Sequence, residues 1–422
     1  MPFPLPVETL VHILELAVAF PSVMDTHLPQ YSLYPKSFLP LNDIKRSTWI
    51  LSSLALVCKQ WNTICTPTLY QCLVIDDSTD MSALLYTLER SQLTTDTLGR
   101  FRPRGFLARH LIIALSDHPA HEDGVESLET RIFQRFGNLG RLSRYLPYLQ
   151  VLSISIMIQD TWGLPMPYYG RDFAAAVTQT SAWSLRKLYL HQNPIVLFSR
   201  QELRTLLESA PNLVAIVSSC NTGHLGCPVA LPYLPKLKYL TVNHEAGHCD
   251  SICHEDGHTP SLDRVHIRPS RSSNFWTHLL SSQGLIITSV SLDLRITSEL
   301  ENHSHCLYML SSLCPNLSCL EIFINDWHDF PKRDVLPSIE HLGVSLLFGT
   351  VKVADMCETL ACIQLPSLKT VRLMDPHMVE WFASPLSGNV ESAWTPLIGR
   401  TFCVVDCDGR DLGPYRRGPE ET

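Results

Sequence analysis

The sequence predicts an α/β protein in which a small N-terminal helical module precedes a long solenoid of strand-and-helix coils. Triplets of aliphatic residues with the spacing L-x-x-L-x-L recur through residues 149–373. Proline stands two residues before most of these triplets, and helix-like segments precede several of them. The 422 residues are 45% hydrophobic and 18% charged, which is typical of a folded protein. This length suits two or three ordinary domains, or one solenoid with an attachment.

The segment Leu185–Ile195 carries the clearest form of the pattern, L-x-x-L-x-L-x-x-N-x-I. This spacing puts three leucine side chains on one face of a short strand. The Asn193 amide can turn inward and bond backbone groups of neighbouring coils. Asn221 and Asn325 stand at the same place in two other segments. The pattern is that of the core segment of a leucine-rich repeat.

Nine such frames follow one another at steps of 22 to 36 residues, mostly within or near the range of roughly 20–29 residues known for leucine-rich repeats. They are Leu149-Leu152-Ile154, Leu185-Leu188-Leu190, Leu213-Ile216-Ser218, Leu237-Leu240-Val242, Leu262-Val265-Ile267, Ile287-Val290-Leu292, Leu317-Leu320-Ile322, Ile339-Leu342-Val344 and Leu368-Val371-Leu373. We therefore predict an irregular leucine-rich-repeat solenoid over residues 67–374, with parallel strands on its concave side and helices on its convex side.

Helices are predicted between the strands, each ended by a proline, because proline cannot continue a helix. These prolines are Pro147, Pro211, Pro235, Pro260, Pro315, Pro337 and Pro366. Ser199 and Glu202 form the sequence signature of a capping box. Asp355 with Glu358 repeats the signature less cleanly, and leucines at 307, 310 and 313 lead into Pro315.

The two ends of the solenoid have weaker patterns. Residues 69–75 and 110–115 are predicted to be the strands that start the stack, with a helix over 78–92 between them. Residues 375–422 are predicted to be a terminal cap with one strand over 401–407 and a disordered end at 415–422.

The N-terminus predicts a helical module. Pro6 suits the first turn of a helix, and Glu8 favours its positive end. Apolar residues at 7, 10, 11, 14, 17 and 18 follow helical spacing. Residues 21–47 contain four prolines and are interpreted as an inserted loop. Helical spacing resumes over 47–64, and Pro67 is expected to close that segment.

The elements L-P-x-E at Leu5–Glu8, Ile13-Leu14 and V-C-K-x-W at Val57–Trp61 resemble the F-box, a three-helix module of substrate receptors in cullin–RING ubiquitin ligases. The resemblance covers residues 5 to about 66 and defines a module over 1–66. It implies binding to a Skp-type adaptor. The implied adaptor-binding residues are Leu5, Pro6, Leu10, Ile13, Leu14, Leu54, Val57 and Trp61. About half of them are expected to be core residues of the helical module.

The charge and cysteine content exclude several classes of protein. The net charge is −8 and no basic block is present, so nucleic acid binding gains no electrostatic support. No stretch has the length and composition of a membrane span or a signal peptide. The 14 cysteines lack paired spacing, which favours a reducing cytoplasmic or nuclear setting.

The segment His244–His258 carries a competing signal. His244-Glu245-x-x-His248 matches the H-E-x-x-H of zinc peptidases, in which two histidines hold the metal and the glutamate is the general base. His248, Cys249, Cys253 and His254 are alternative metal ligands. The motif directly follows a predicted strand, and Gly247 disfavours a helix there. A polar connecting loop is therefore the favoured interpretation.

Three functions follow from these patterns. The favoured one is a non-enzymatic substrate-recognition subunit of an SCF-type ubiquitin ligase, without catalytic residues, cofactor or metal, whose repeats hold an unknown protein target. The second is a repeat scaffold that binds protein without a ligase, with the N-terminal helices as a cap. The third is a zinc peptidase.

Overall fold

The computed structural model describes residues 6–17, 41–93, 103–116, 128–157, 170–191, 198–218, 231–243, 259–268, 275–295, 300–330, 336–346, 353–363, 365–375, 395–397 and 400–412. These residues divide between Leu237 and Lys238 into two compact units. The division falls inside the range 67–374 predicted for the solenoid. Each unit is built around a parallel sheet whose strands follow chain order.

The first unit begins with three helices, α1 (Val7–Ala17), α2 (Leu41–Ala55) and α3 (Lys59–Gln71). The single helix predicted over 47–64 is wrong, because a turn at residues 56–58 divides it. The loop predicted over 21–47 is too long at its C-terminal end, since α2 already starts at residue 41. Residues 18–40 lie outside the described part of the chain.

Helix α3 does not end at Pro67, contrary to the prediction. It runs on to Gln71 and leads directly into strand β1 (Cys72–Asp76), so the strand expected from residue 69 begins three residues later. Proline removes one helical hydrogen bond. Helical packing continues past it, because Cys65 is buried in the helical core and Leu69 packs against that core.

The remaining strands of the first unit are β2 (His110–Ser116), β3 (Val151–Met157), β4 (Lys187–His191) and β5 (Ala215–Ser218). Consecutive strands pair in parallel from β1 to β5. Four helices lie between them in the chain: α4 (Met81–Gln92), α5 (Leu128–Ser143), α6 (Arg171–Thr180) and α7 (Arg200–Glu208). The predicted strand over 110–115 and helix over 78–92 are confirmed as β2 and α4.

The second unit holds seven strands: β6 (Tyr239–Asn243), β7 (Arg264–Arg268), β8 (Ser289–Asp293), β9 (Cys319–Ile324), β10 (His341–Leu346), β11 (Thr370–Leu373) and β12 (Cys403–Val405). They pair in parallel in that order. Its helices in the described part of the chain are α8 (Phe275–Gln283), α9 (Leu300–Leu313) and α10 (Val353–Ala361). Strand β12 occupies part of the range 401–407 predicted for the cap, and residues 415–422 lie outside the description.

In each of the nine predicted frames, the second and third residues lie on one strand and the first residue lies two residues before that strand. Frame residues of paired strands meet in register. Leu152 lies opposite Leu188, and Leu190 lies opposite Ser218. In the second unit, Leu292 lies opposite Ile322. Apart from half-buried Ser218, and Val242 whose side chain is not described, every frame residue is at most 6% exposed. The spacing therefore marks the side chains that form the core of each unit.

The prolines have a more specific role than ending helices. In six of the coils that carry such a proline, the first frame residue donates its N–H to the carbonyl three residues earlier, as in Leu149 N to Leu146 O and Leu213 N to Ala210 O. Proline is the second residue of these turns at 147, 211, 235, 260, 315 and 366. Proline suits that position because its φ is already near −65°. The turn joins the end of one coil to the strand of the next.

Two local predictions are confirmed at atomic level. Ser199 and Glu202 make the reciprocal capping box at the start of α7. Asn325 donates its side-chain amide to the carbonyl of Arg295 at 2.9 Å, and thus bonds the backbone of the neighbouring coil. Asn193 and Asn221 lie outside the described residues.

Candidate functional site

The three N-terminal helices share a small core. Leu14, Leu51 and Cys65 are buried at its centre, one from each helix. Partly buried side chains pack around them: Ile50, Leu54, Ala55, Trp61, Ile64 and Leu69. Leu10 and Ile44 are also buried. This packing fixes the relative positions of α1, α2 and α3.

Several large apolar side chains of the same module are left outside its core. They are Val7, Val11 and Ile13 on α1, Trp49 on α2, and Leu56 and Val57 in the turn between α2 and α3. Trp49 is 70% exposed, Leu56 is 87% exposed and Val57 is 67% exposed. Single exposed apolar residues are common, but six on a module this small indicate an interaction surface.

The turn between α2 and α3 holds Leu56 and Val57 in fixed positions. The Leu56 N–H donates to Ser53 O at 3.2 Å, and the Val57 N–H donates to Leu54 O at 3.1 Å. The side-chain amide of Asn62 donates to Ala55 O at 3.2 Å, which ties the start of α3 to the end of α2. These bonds satisfy polar groups of the turn while both apolar side chains face outward.

The structure separates the eight predicted adaptor-binding residues into distinct environments. Pro6, Ile13 and Val57 are exposed, Leu10 and Leu14 are buried, and Leu54 and Trp61 are half-buried against the helical core. Leu5 lies outside the described residues. The exposed residues that the motifs did not mark are Val7, Val11, Trp49 and Leu56. For Val7 and Val11, the sequence feature that could have indicated exposure is that α1 carries more apolar residues than one face of a helix can bury.

The helical module is bonded to the first strands. Lys45 on α2 forms a 2.5 Å ion pair with Asp76 at the end of β1. Burial tends to raise the pKa of Asp76, but hydrogen bonds from Lys45, Ser78 and Thr79 outweigh it and lower this pKa to about 2. The Arg109 N–H donates to Gln71 O at 2.9 Å, which joins the end of α3 to the chain entering β2. The helices therefore belong to the first unit.

A second group of polar residues lies on the strands of the second unit, between the frame positions. The His266 ring bonds the Ser291 hydroxyl at 2.8 Å through Nδ1. Asp293 accepts two 2.7 Å hydrogen bonds from the guanidinium of Arg295. Burial tends to raise the pKa of Asp293, but the bonds and charge of Arg295 lower it.

This polar group is suited to structure rather than to catalysis. Ser291 is fully buried and Asp293 is nearly so, so a substrate cannot reach the hydroxyl beside His266. Burial lowers the pKa of His266 to about 4, which keeps its ring neutral. The side chains at these strand positions therefore make internal hydrogen bonds in this part of the sheet.

In the described part of the chain, no group of three or more His, Cys, Asp or Glu side chains could hold a metal ion. The predicted H-E-x-x-H segment, residues 244–258, lies outside that part. No helix among the described residues has the length and apolar character needed to cross a membrane.

Comparison with known proteins identifies the helical module. Residues 4–76 match the model of the F-box-like family. The match covers α1 to α3 and ends with strand β1. The match supports the prediction that this chain is an F-box protein. F-box proteins are typically non-enzymatic adaptors. No curated protein matches the chain.

Proposed function

We propose that this protein is the substrate-recognition subunit of an SCF-type cullin–RING ubiquitin ligase. In this proposal the helical module binds a Skp-type adaptor, and the strand units, read as irregular leucine-rich repeats, hold a protein target. The chain itself supplies no catalytic residue, cofactor or metal. Such a subunit works in the cytoplasm or nucleus. The F-box-like match over residues 4–76 supports the first part of the proposal.

The observation that carries the proposal is the apolar pair Leu56 and Val57 in the turn between α2 and α3. Both side chains are mostly exposed, although the backbone of the turn is hydrogen-bonded on both sides of them. Burying such a side chain against a partner contributes roughly 1.5–3 kcal/mol. An adaptor that covers both side chains therefore gains a substantial part of its binding free energy here.

The eight residues named from the resemblance divide into two roles in this proposal. Pro6, Ile13 and Val57 are exposed and contact the adaptor directly, together with Leu5, whose surroundings are not described. Leu10, Leu14, Leu54 and Trp61 form or flank the helical core, and they hold the contact residues in place. Val7, Trp49 and Leu56 join the contact surface.

The proposal is tested with the double substitution Leu56→Asp and Val57→Asp. Charged side chains at these positions would have to be desolvated on binding, so we expect the Kd for a purified Skp-type adaptor to rise by more than about tenfold. Isothermal titration calorimetry of the full chain measures this change. Because both positions are exposed, the thermal unfolding midpoint should stay close to that of the wild type.

A matched control is Leu285→Asp in the second unit, where the side chain is 71% exposed. This variant should bind the adaptor as the wild type does. A wild-type chain that fails to bind the adaptor at micromolar concentration would contradict the proposal. That result would favour the repeat scaffold, in which the helices only cap the first strand.

A further inference from the structure

One edge of the sheet in the first unit combines exposed aromatic side chains with cations. Six residues, named here the aromatic-basic edge, lie in the turns that precede β2, β3, β4 and β6 in the chain or directly after those turns: Phe106, Arg109, Tyr148, Trp183, Arg186 and Lys236. Trp183 is 74% exposed, and Phe106 and Tyr148 are also exposed. None of these side chains belongs to the adaptor-binding surface proposed above.

The edge is continuous from one coil to the next. The rings of Phe106 and Tyr148 meet edge to face with centroids 5.4 Å apart. The Ser184 hydroxyl donates to Leu149 O at 2.8 Å, which holds the turn of Trp183 beside that of Tyr148. The Asn212 amide then donates to Trp183 O at 2.7 Å.

The last coil of the first unit extends the edge. The Lys236 ammonium donates to the side-chain oxygen of Asn212 at 2.7 Å. Backbone bonds run through the same turns, from Gln150 N to Arg109 O, from Arg186 N to Gln150 O, and from Val214 N to Arg186 O. Bonds between neighbouring coils therefore hold the turns that carry these six side chains in one row.

The cations of the edge are not neutralised within the described part of the chain. Arg109 donates to the carbonyls of Phe106 and Ala108 and lies over the Tyr148 ring at 5.3 Å. Lys236 bonds a neutral amide. No carboxylate among the described residues forms an ion pair with Arg109, Arg186 or Lys236.

This edge contrasts with the rest of the protein. The chain carries a net charge of −8, yet the turns of the first unit at 104–109, 145–150, 182–186, 210–214 and 234–237 contain no acidic residue. The corresponding turns of the second unit include Asp263 and Glu340, and Glu340 forms a 2.7 Å ion pair with Lys369. A local positive charge on an acidic protein attracts an anionic partner.

The composition and rigidity of the edge favour a protein partner. Tyr, Trp and Arg are the residues most enriched in the energetically dominant parts of protein interfaces. Arg109 is already held by two carbonyls and an aromatic ring, so little of its side-chain freedom remains to be lost on binding. Aromatic rings offer apolar contact area, and the cations select the charge of the partner.

We propose that the aromatic-basic edge binds an acidic peptide segment of a partner protein, in which aromatic or aliphatic side chains alternate with Asp and Glu. The apolar side chains of that segment lie against Phe106, Tyr148 and Trp183. Its carboxylates face Arg109, Arg186 and Lys236. The site acts independently of adaptor binding, which uses α1 and the turn between α2 and α3.

The test uses a fluorescein-labelled peptide composed of Glu, Asp, Phe and Leu, titrated with the full-length protein by fluorescence anisotropy. We expect Arg186→Glu with Lys236→Glu to raise the Kd by about tenfold or more, and Trp183→Ser to raise it by about fivefold or more. All three side chains are exposed, so these variants should keep the wild-type unfolding midpoint. Binding should weaken as salt is added.

Matched controls lie elsewhere in the first unit. Arg90→Glu with Arg171→Glu changes the net charge equally, and Tyr86→Ser removes an exposed ring on α4. We expect wild-type affinity from both. A peptide with Ser in place of Phe and Leu should bind more weakly, and one with Lys in place of the acids should not bind.

Three results would overturn the proposal: equal loss of affinity in the edge and control variants, no binding of the acidic peptide to the wild type, or tighter binding of a single-stranded RNA at the same edge. Adaptor affinity, measured on the same edge variants, should equal that of the wild type. An edge variant that binds the adaptor but not the peptide separates this site from the proposed ligase function.

Discussion

At the scale of single residues, the buried histidines decide how the protein responds to acid. His110, His191 and His266 lie on β2, β4 and β7, and each is at most 5% exposed. Burial lowers the pKa of each ring to about 4, and for His110 the charges of Lys187 and Arg109 act in the same direction. All three rings are therefore neutral in the folded protein at pH 7.

The sign of the pH dependence follows from these pKa values. Each histidine has a pKa near 6.5 when the chain is unfolded and near 4 when it is folded. Protonation of this ring costs no stability above pH 6.5, and stability is lost as the pH falls towards 4, because only the unfolded chain takes up the proton. A difference of this size corresponds to roughly 3 kcal/mol for each ring.

His110 allows a direct test, because neither of its ring nitrogens has a hydrogen-bond partner among the described residues. We expect His110→Leu to stabilise the fold at pH 7, by about 1 kcal/mol, because it removes a buried polar group without a partner. The variant should also lose less stability than the wild type between pH 6.5 and 4.5. Urea unfolding at a series of pH values measures both effects.

The matched control is His278→Leu on α8, where the histidine is exposed. Its stability should depend on pH as that of the wild type does. If His110→Leu is less stable than the wild type at pH 7 and has an unchanged pH dependence, then His110 makes a favourable interaction that this interpretation omits.

At the scale of elements, glycine reveals how closely the helices of the second unit pack. Gly284 follows α8, and a Cβ at this position would lie 2.1 Å from Leu313 O and 2.4 Å from Leu280 O. Both atoms are backbone atoms, so neither can move without displacing a helix end. In contrast, a Cβ on Gly137 in α5 would meet no atom of the described residues within 4 Å beyond the backbone of its own helix.

The two glycines give a paired prediction. Gly284→Ala should destabilise the protein by about 2 kcal/mol or more, because the added methyl group separates α8 from α9. Gly137→Ala should stabilise it by up to about 1 kcal/mol, because alanine favours a helix interior over glycine. Thermal unfolding of both variants measures the difference, and equal midpoints would contradict the packing described between α8 and α9.

The strands were predictable from sequence because burial acts on each coil in the same way. Every coil carries aliphatic side chains at the same fixed spacing, so the frames predicted all nine strands from β3 to β11. The break between α2 and α3 was not predictable by this route. Leu54, Val57 and Trp61 continue the helical apolar spacing, and only the structure reveals that Val57 lies in an exposed turn.

The candidate sites were predictable to a smaller extent. The F-box resemblance identified the helical module, but motif residues include both core and surface positions, as Leu14 and Val57 illustrate. The aromatic-basic edge was not predicted. Its residues are far apart in sequence, and they become neighbours only because parallel coils bring equivalent turns together.

At the scale of the whole molecule, the helical module and the first sheet form one unit. Helix α3 runs into β1 without a linker, and the Lys45–Asp76 ion pair fixes α2 to the end of that strand. A partner bound to the helices is therefore held in a fixed orientation relative to strands β1 to β5. A rigid connection of this kind suits a subunit that must present a bound target to other subunits.

The surfaces proposed for binding have different chemistry within this unit. The turn at Leu56 and Val57 is apolar and suits an adaptor that buries it, whereas the aromatic-basic edge is positively charged and suits an acidic segment. Salt should therefore weaken binding at the edge more than binding at the helical module. This difference allows the two interactions to be distinguished on the unmodified protein.

The most direct test is amide hydrogen exchange of the full-length chain with and without a Skp-type adaptor. We expect the adaptor to slow exchange by about tenfold or more in residues 6–17 and 49–61, and to leave strands β3 to β12 unchanged. Protection confined to the strands, or no protection in the N-terminal helices at saturating adaptor, would contradict the assignment of those helices as the adaptor-binding site.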